Sequence, residues 1–507
     1  MYEKMHILHE IIDMRNFLTI ILLFVSLCGF SQSVKLSKNC YKSVKTANPI
    51  SPVRFCADPT AIEYRGRLYV YGTSDHQQYE AVGIEGKNTY DKIKSIEVFS
   101  TDDMVNWTYH GVIDVKSVAP WITNSWAPSI CSRVEEDGAT HFYLYFSNNG
   151  MGVGVITATN PEGPWSDPLG APLIQTGMPQ IGDVPNPFDP GVCIDDNGVG
   201  WLAFGGGVAK NGTEAMPRTS RIARLGKDMI SIDTVAEIKA PYFFEASELN
   251  FINGTYVYTY NNNWVPRMDW NYKIGPEPSQ CSMSYMTTKT PLETDSWQYR
   301  GHYFQNPGDQ GLCYSNNHTH IAKYRDKYYL FYHTMALHKA MTGRNENLAF
   351  RSICVDEMKI DEENVKISMV KGTVSGVEQL ETHCYFQGIR WNRPTLTTCA
   401  GIEFDMVDGS PVIKSTEAGA WIVIRNIPKT GYFYDCLDME IKGTGKVEVH
   451  VDKINSKPLF VFEAKKQRNY KSLQFPNFDF SGNKDMYFIF TEKDIYLYSW
   501  FLREFIP

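Results

Sequence analysis

Leu68-Tyr69-Val70-Tyr71-Gly72 is a short aromatic and β-branched run, and the chain repeats it. Equivalent runs are Phe142-Tyr143-Leu144-Tyr145-Phe146, Trp201-Leu202-Ala203-Phe204-Gly205, Tyr256-Val257-Tyr258-Thr259-Tyr260 and Tyr328-Tyr329-Leu330-Phe331-Tyr332. Residues of this kind favour the pleated, half-buried surface of a sheet. The centres of the runs lie roughly 55 to 75 residues apart, a period that suits the blades of a β-propeller. Asp195-Asp196-Asn197-Gly198, Ile252-Asn253-Gly254 and Tyr324-Arg325-Asp326 each precede a run, where a tight hairpin turn is expected. Asp58, Asp189, Glu245 and His318 lie about 12 to 14 residues before the centre of their own run. Equal offsets in equal repeats bring side chains to equal points around one axis. Three carboxylates and a histidine should therefore share one pocket, which favours an enzyme.

The bulk properties agree with a large globular protein. At 507 residues the chain is too long for one ordinary domain. A formal charge of −8 with no basic stripe argues against nucleic-acid binding. Aromatic residues make up 13%, and most are expected to serve sheet packing, leaving a few to stack on sugar faces. Met14-Arg15-Asn16 followed by the apolar run Phe17–Leu27 and small residues near Ser31 matches a secretory signal. The apolar run is too short for a stable bilayer anchor. The expectation is therefore export to the periplasm or beyond, without membrane insertion. Beyond Cys28, ten cysteines show no Cys-x-x-Cys pair, which excludes a zinc ribbon and leaves disulfide pairing open. The run Asp195–Gly198 lacks the further ligands of a calcium loop and reads as a turn.

The predicted fold is all-β. Residues 1–31 form the signal, 32–377 a five-bladed β-propeller, and 378–507 a β-sandwich of the jelly-roll kind. The boundary rests on a change of character. After about residue 378 the aromatic repeat gives way to short strands such as Ala420-Trp421-Ile422-Val423-Ile424 and Met486-Tyr487-Phe488-Ile489-Phe490.

Five ordered stretches add a family resemblance. Phe55-Cys56-Ala57-Asp58-Pro59, Ser125-Trp126-Ala127-Pro128, Pro187-Phe188-Asp189-Pro190-Gly191, Phe243-Phe244-Glu245-Ala246-Ser247 and Asn316-Asn317-His318 resemble glycoside hydrolase family 43, one stretch per repeat. The resemblance implies Asp58 as general base, Glu245 as general acid and Asp189 as the carboxylate that tunes the acid, in a single inverting displacement. Candidate substrate contacts are His76, Trp126, Asn149, Phe188 and Arg351, which lie near equivalent strand ends, and for Arg351 the resemblance adds a matching arginine in the last blade. It also implies a calcium ion near His318, held largely by water and not needed for the chemistry. His320 reads as a packed sheet residue, and Glu248 is the rival acid. Residues 378–507 weakly resemble a family 6 carbohydrate-binding module, although Leu497 stands where that family carries an asparagine ligand.

The leading expectation is a monomeric α-L-arabinofuranosidase acting on arabinoxylan-type plant polysaccharide. β-Xylosidase and endo-arabinanase follow on the same fold. From other classes, a non-catalytic carbohydrate-binding propeller or a protein-interaction propeller would not need all three acids at matched offsets.

Overall fold

The computed structural model describes residues 34–209, 215–264, 277–381, 388–391, 394–427, 433–474 and 483–505. The expected signal segment and Cys384 lie outside these residues. The described chain is all-β, with a few short helices, and none of them is long and apolar enough to cross a membrane.

Five antiparallel sheets follow one another along the chain. The first holds β1 (Ala57–Tyr64), β2 (Arg67–Thr73), β3 (Ser95–Thr101) and β4 (Trp107–Asp114). The second holds β5 (Trp126–Val134), β6 (Thr140–Ser147), β7 (Gly152–Ala158) and β8 (Ile174–Gln175). The third holds β9 (Gly191–Ile194), β10 (Gly200–Gly205), β11 (Ser220–Leu225) and β12 (Ile232–Ile238). The fourth holds β13 (Phe243–Ile252), β14 (Thr255–Asn262), β15 (Met283–Thr288) and β16 (Gln298–Phe304), and the fifth β17 (Thr319–Tyr324), β18 (Lys327–Thr334) and β19 (Ser352–Met358). Each aromatic run is the second strand of its sheet, buried on both faces. Such burial explains why the runs show little polar alternation.

Tight turns set the register of the first hairpins. Asn253-Gly254 and Arg325-Asp326 both carry positive φ at two successive residues, as a twisted two-residue hairpin requires. At Asp195–Gly198 the Asp195 carboxylate accepts the N–H groups of Asn197 and Val199, the Trp201 indole N–H at 3.0 Å and the Tyr256 hydroxyl at 2.6 Å. Its lone pairs are spent on the turn, in keeping with the turn reading.

The first strands close a ring. β1 contacts β5, β5 contacts β9, β9 contacts β13, β13 contacts β17, and β17 returns to β1. The approach is close: a Cβ on Gly191 would stand 2.3 Å from the Glu248 Cα. At the closure, residues 48–56 run along the free edge of β19. Ile50 N–H donates to Ile353 O, Cys56 N–H to Arg351 O, and Val355 N–H to the Asn48 side chain. This covers an edge that would otherwise offer unpaired backbone groups.

Two local features depart from expectation. Residues 75–82, which no sequence signal marks as a helix, form one whose Ser74 hydroxyl caps the N–H of Gln77. The segment 37–42, grouped with the first domain by its sequence, hydrogen-bonds instead to the C-terminal sheets through Gly419 and Thr398. No disulfide joins the described cysteines.

Of the described strands after residue 387, Thr395–Leu396 add to the first sheet beside β4, and the others build two further antiparallel sheets, one centred on Phe433–Lys442 and Tyr496–Phe505 and the other on Ala420–Ile427 and Lys484–Phe490. They share one continuous apolar core with the first and fifth sheets, where Tyr109 stacks on Phe404 at 4.8 Å. Asn106 fastens this seam. Its amide donates to Arg425 O and Asp103 Oδ2, and its oxygen accepts from Arg425 N–H and the Thr397 hydroxyl. Asn106→Ala would orphan several buried groups at once, each costing about 1–3 kcal/mol. Urea unfolding should show a loss of at least ~2 kcal/mol with an unchanged slope. A loss below ~0.5 kcal/mol would mean the seam is held by its apolar contacts alone.

Candidate active site

The first strands enter the ring through a recurring bulge. The pairing register slips between Ala57 and Thr60, Trp126 and Ser129, and Glu245 and Glu248. Inside these slips Asp58, Ala127 and Ala246 take φ of 47°, 39° and 59°, and Asp189, just ahead of β9, takes 48°. A bulge re-aims the side chains at the strand end. Left-handed backbone at a non-glycine residue costs on the order of 1–3 kcal/mol and persists only where the surroundings hold it.

What holds it is the residue just after each aromatic run. Thr73 Oγ1 accepts the Ala127 N–H at 2.8 Å, Ser147 Oγ accepts the Asp189 N–H at 2.8 Å, and His333 Nδ1 accepts the Asp58 N–H at 3.2 Å. Each side chain thus reaches from one sheet to the backbone entering the next. Asn261 does the same in reverse, donating to Asn317 O. The third sheet has Gly206 at this position and nothing to offer, and there Asp189 Oδ2 itself accepts the Ala246 N–H at 2.9 Å. Gly206 is needed for another reason: a Cβ there would stand 2.2 Å from the Phe188 ring.

Asp58 is the ionised acid of the site. Arg351 Nη1 donates to its Oδ1 at 2.8 Å, and the Thr73 hydroxyl to its Oδ2 at 2.7 Å. Burial alone would raise its pKa, but Arg351, with His333, His318 and Thr73, outweighs that and lowers it to about 2. His333 is neutral, because burial and Arg351 hold its pKa down to about 4. Its Nε2 faces Asn316 O at 3.0 Å and so carries the proton, leaving Nδ1 to accept.

Asp189 and Glu245 behave in the opposite way. Burial and the Asp58 charge push Asp189 up to about 7, against its hydrogen bonds to Ala246 and Ser147. Burial, Asp189 and Asp58 push Glu245 well above the usual carboxyl range. Among the described residues the Glu245 side chain has no hydrogen-bond partner within the protein. One ionised acid thus faces one acid held protonated, with a third carboxylate between them in charge and proton affinity.

These side chains line a cavity of about 160 Å³ together with Trp126, Phe188, Tyr90 and His318. Trp126 is fixed by its indole N–H, which donates to Tyr90 O, and the Tyr90 ring covers the Arg351 guanidinium at 4.8 Å. Two expected contacts lie elsewhere. His76 turns away into a separate cavity, where its Nε2 stands 3.5 Å from Glu80, because its Nδ1 is tied to the Phe55 N–H. Asn149 is spent on Asn124 and on the Gly150 N–H and does not line the cavity. Glu248 is fully buried beside His320 at 3.4 Å, so of the two glutamates only Glu245 lines the cavity. His320 is packed and donates from Nε2 to Ala61 O.

His318 lies 3.8 Å from Asp58, and its buried Nε2 has no partner. Among the described residues no group of three or more His, Cys, Asp or Glu could hold a metal. His318 Nε2 is thus a lone nitrogen donor at the cavity, a set that does not suit zinc. Tyr90, Asp75 and His333 are site residues that motif reading passed over. Only His333 and its counterparts had a signal, their shared place directly after the aromatic runs.

Three acids with split proton affinities, Asp58 and Asp189 buried and Glu245 half-buried, at one end of a ring of antiparallel sheets, define a hydrolase that works by carboxylate acid–base chemistry. Residues 46–365 match the family described as Glycosyl hydrolases family 43, and the chain belongs to that family. It is a glycosidase. The chain is 32% identical to the arabinoxylan arabinofuranohydrolase of Bacillus subtilis (strain 168) over 86% of this chain and 87% of that protein. It is 33% identical to the arabinoxylan arabinofuranohydrolase of Paenibacillus polymyxa over 75% of this chain and 60% of that protein. A crystal structure of a Bacillus subtilis family 43 arabinoxylan arabinofuranohydrolase, in complex with cellotetraose, superposes with a TM-score of 0.82 at 29% identity, covering 91% of this chain and 98% of that one.

The raised Asp189 makes a signed prediction. An acid whose pKa rises on folding leaves stability intact below its unfolded value and loses it as pH climbs toward about 7. Asp189→Asn should therefore stabilise the protein at pH 8 by about 1 kcal/mol or more relative to its effect at pH 4. Denaturant unfolding at the two pH values measures this, and an equal effect at both would contradict the buried charge.

Proposed function

We propose that the protein is an inverting α-L-arabinofuranosidase that removes arabinose side chains from arabinoxylan-type plant polysaccharide. The observation that carries the reading is the split between Asp58, held ionised, and Glu245, held protonated, across one small cavity. Glu245 gives its proton to the glycosidic oxygen as that bond breaks. Asp58 takes a proton from the water whose oxygen bonds to the anomeric carbon from the opposite face. Asp189 keeps Glu245 protonated by its adjacent charge. We read the five sequential sheets as the five blades of a propeller, and the two C-terminal sheets as a sandwich that braces it. A cavity of about 160 Å³ holds one terminal sugar rather than a chain, which favours exo action. The arabinoxylan specificity of the two bacterial relatives supports arabinose over xylose. The basic, apolar and small-residue order of Met14–Ser31 supports export.

A hydrated calcium ion against His318 Nε2 belongs to the same reading, and no step of the hydrolysis passes through it. Chelator-treated protein should unfold at a lower temperature and recover on adding calcium. No change would remove the ion from the proposal.

Product analysis on arabinoxylan, arabinan and xylo-oligosaccharides tests the specificity. Free arabinose from arabinoxylan is expected, and release of xylose or of oligosaccharides instead would move the assignment to β-xylosidase or endo-arabinanase. Asp58→Asn should lower kcat at least about 10³-fold on every substrate, since Asp58 is the carboxylate held ionised to activate the water. Glu245→Gln should fall as far on natural substrate but much less on an activated aryl arabinoside, which leaves without help. Equal losses on both substrates would take the acid role away from Glu245.

A further inference from the structure

Arg351 is buried with both of its acidic partners, and its donors are divided unequally between them. Asp75, with no exposed surface, takes a two-pronged grip on one edge: Arg351 Nε donates to Asp75 Oδ2 at 2.9 Å and Nη2 to Oδ1 at 2.8 Å. The backbone N–H of Arg351 also donates to Asp75 Oδ2 at 2.9 Å. Asn88 holds the carboxylate from behind, donating to the same oxygen at 2.5 Å. Only Nη1 is left for Asp58, and it meets Oδ1 alone. Tyr90 covers the guanidinium face.

We propose that Asp75 is a positioning residue for the reaction: by occupying the Nε/Nη2 edge it restricts Arg351 to a single hydrogen bond with the Oδ1 of Asp58. The argument is geometric and rests on the assignment of Asp58 as the base. A guanidinium offers a planar fork that matches a carboxylate end to end. Arg351 is 2% exposed, so an edge released from Asp75 would have no water to turn to. The nearest acceptor for a free fork is Asp58 itself. A fork on Asp58 would claim Oδ2 as well, the oxygen that now accepts only the Thr73 hydroxyl at 2.7 Å and keeps a lone pair to meet a water. Asp75 thus keeps the charge that ionises Asp58 while sparing one of its lone pairs. Position 75 stands beside His76, one of the expected substrate contacts, and the helix 75–82 turns the histidine into a separate cavity and the aspartate inward onto Arg351.

A double-mutant cycle on the full chain tests this, with arabinose release from arabinoxylan as the assay. Asp75→Asn should lower kcat at least about 30-fold while KM moves less than threefold, since only water activation is disturbed. In an Arg351→Gln background, adding Asp75→Asn should cost less than a further twofold, because Asp75 acts through Arg351. Penalties that multiply, or a loss carried by KM, would overturn the proposal. Should Asp75→Asn fail to fold, Asn88→Ala decides alone: it loosens the grip without removing a charge, and kcat should fall about three- to tenfold with KM unchanged. Wild-type kcat in Asn88→Ala would count against the positioning role. The proposal and the underlying assignment fail differently. Loss of Asp58 as base would show as an active Asp58→Asn protein, whatever position 75 does.

Discussion

The ring depends on satisfying one backbone polar group where each first strand enters it, an N–H at four of the sheets and the Asn317 carbonyl ahead of the fifth. The bulge turns that N–H away from its own sheet's ladder, and a buried donor without a partner costs about 1–3 kcal/mol. Thr73, Ser147 and His333 supply acceptors from the preceding sheet, and at the third sheet, where Gly206 supplies none, the Asp189 carboxylate does so itself. Structure and chemistry therefore share atoms. The strained φ that aims Asp58 and Asp189 into the cavity is held by the same hydrogen bonds that join neighbouring sheets. Asp189 couples the two most tightly, since the oxygen that fixes the Ala246 backbone is part of the charge that keeps Glu245 protonated.

Electrostatics then divides the acids. Arg351 bonds Asp58 directly and reaches Asp189 and Glu245 only through space, so its lowering influence falls mainly on Asp58. Like charges confined in a poorly solvated cavity cannot all stay ionised, and Glu245, which has no bond to the guanidinium, holds its proton most firmly. An acid and a base come out of chemically similar carboxyls by placement alone.

The C-terminal sheets act on this site from a distance. Ring closure falls between the fifth and first sheets, and both share their apolar core with the C-terminal strands. Asn48 and residues 50–56 seal the β19 edge on the way to Asp58, and Arg351 O accepts the Cys56 N–H just before the base. Loosening the seam at Asn106 would therefore loosen the frame that holds Asp58 and Arg351 in register. This bracing role needs no sugar contact from the C-terminal sheets.

The aromatic runs were legible because a buried strand in an antiparallel stack must be apolar and β-prone on both faces, and that demand is written locally. Turn chemistry was legible for the same reason, as Asn253-Gly254 shows. The acids Asp58, Asp189 and Glu245 could be picked out by their offset from those runs, and Trp126, Phe188 and Arg351 by the motifs around them. Everything that depends on which way a side chain turns was beyond the sequence. His76 and Asp75 are neighbours on one short helix, and only its packing sends the histidine away and the aspartate to Arg351. Glu245 and Glu248 are separated by a bulge that no local pattern announces, and it leaves one facing the cavity and the other buried on His320. The sequence by itself determined which strands form and which acids stand near the axis, because those follow from periodicity. Tertiary structure alone decided which acid keeps its proton, because that is set by burial and by charges brought together from strands far apart in the chain.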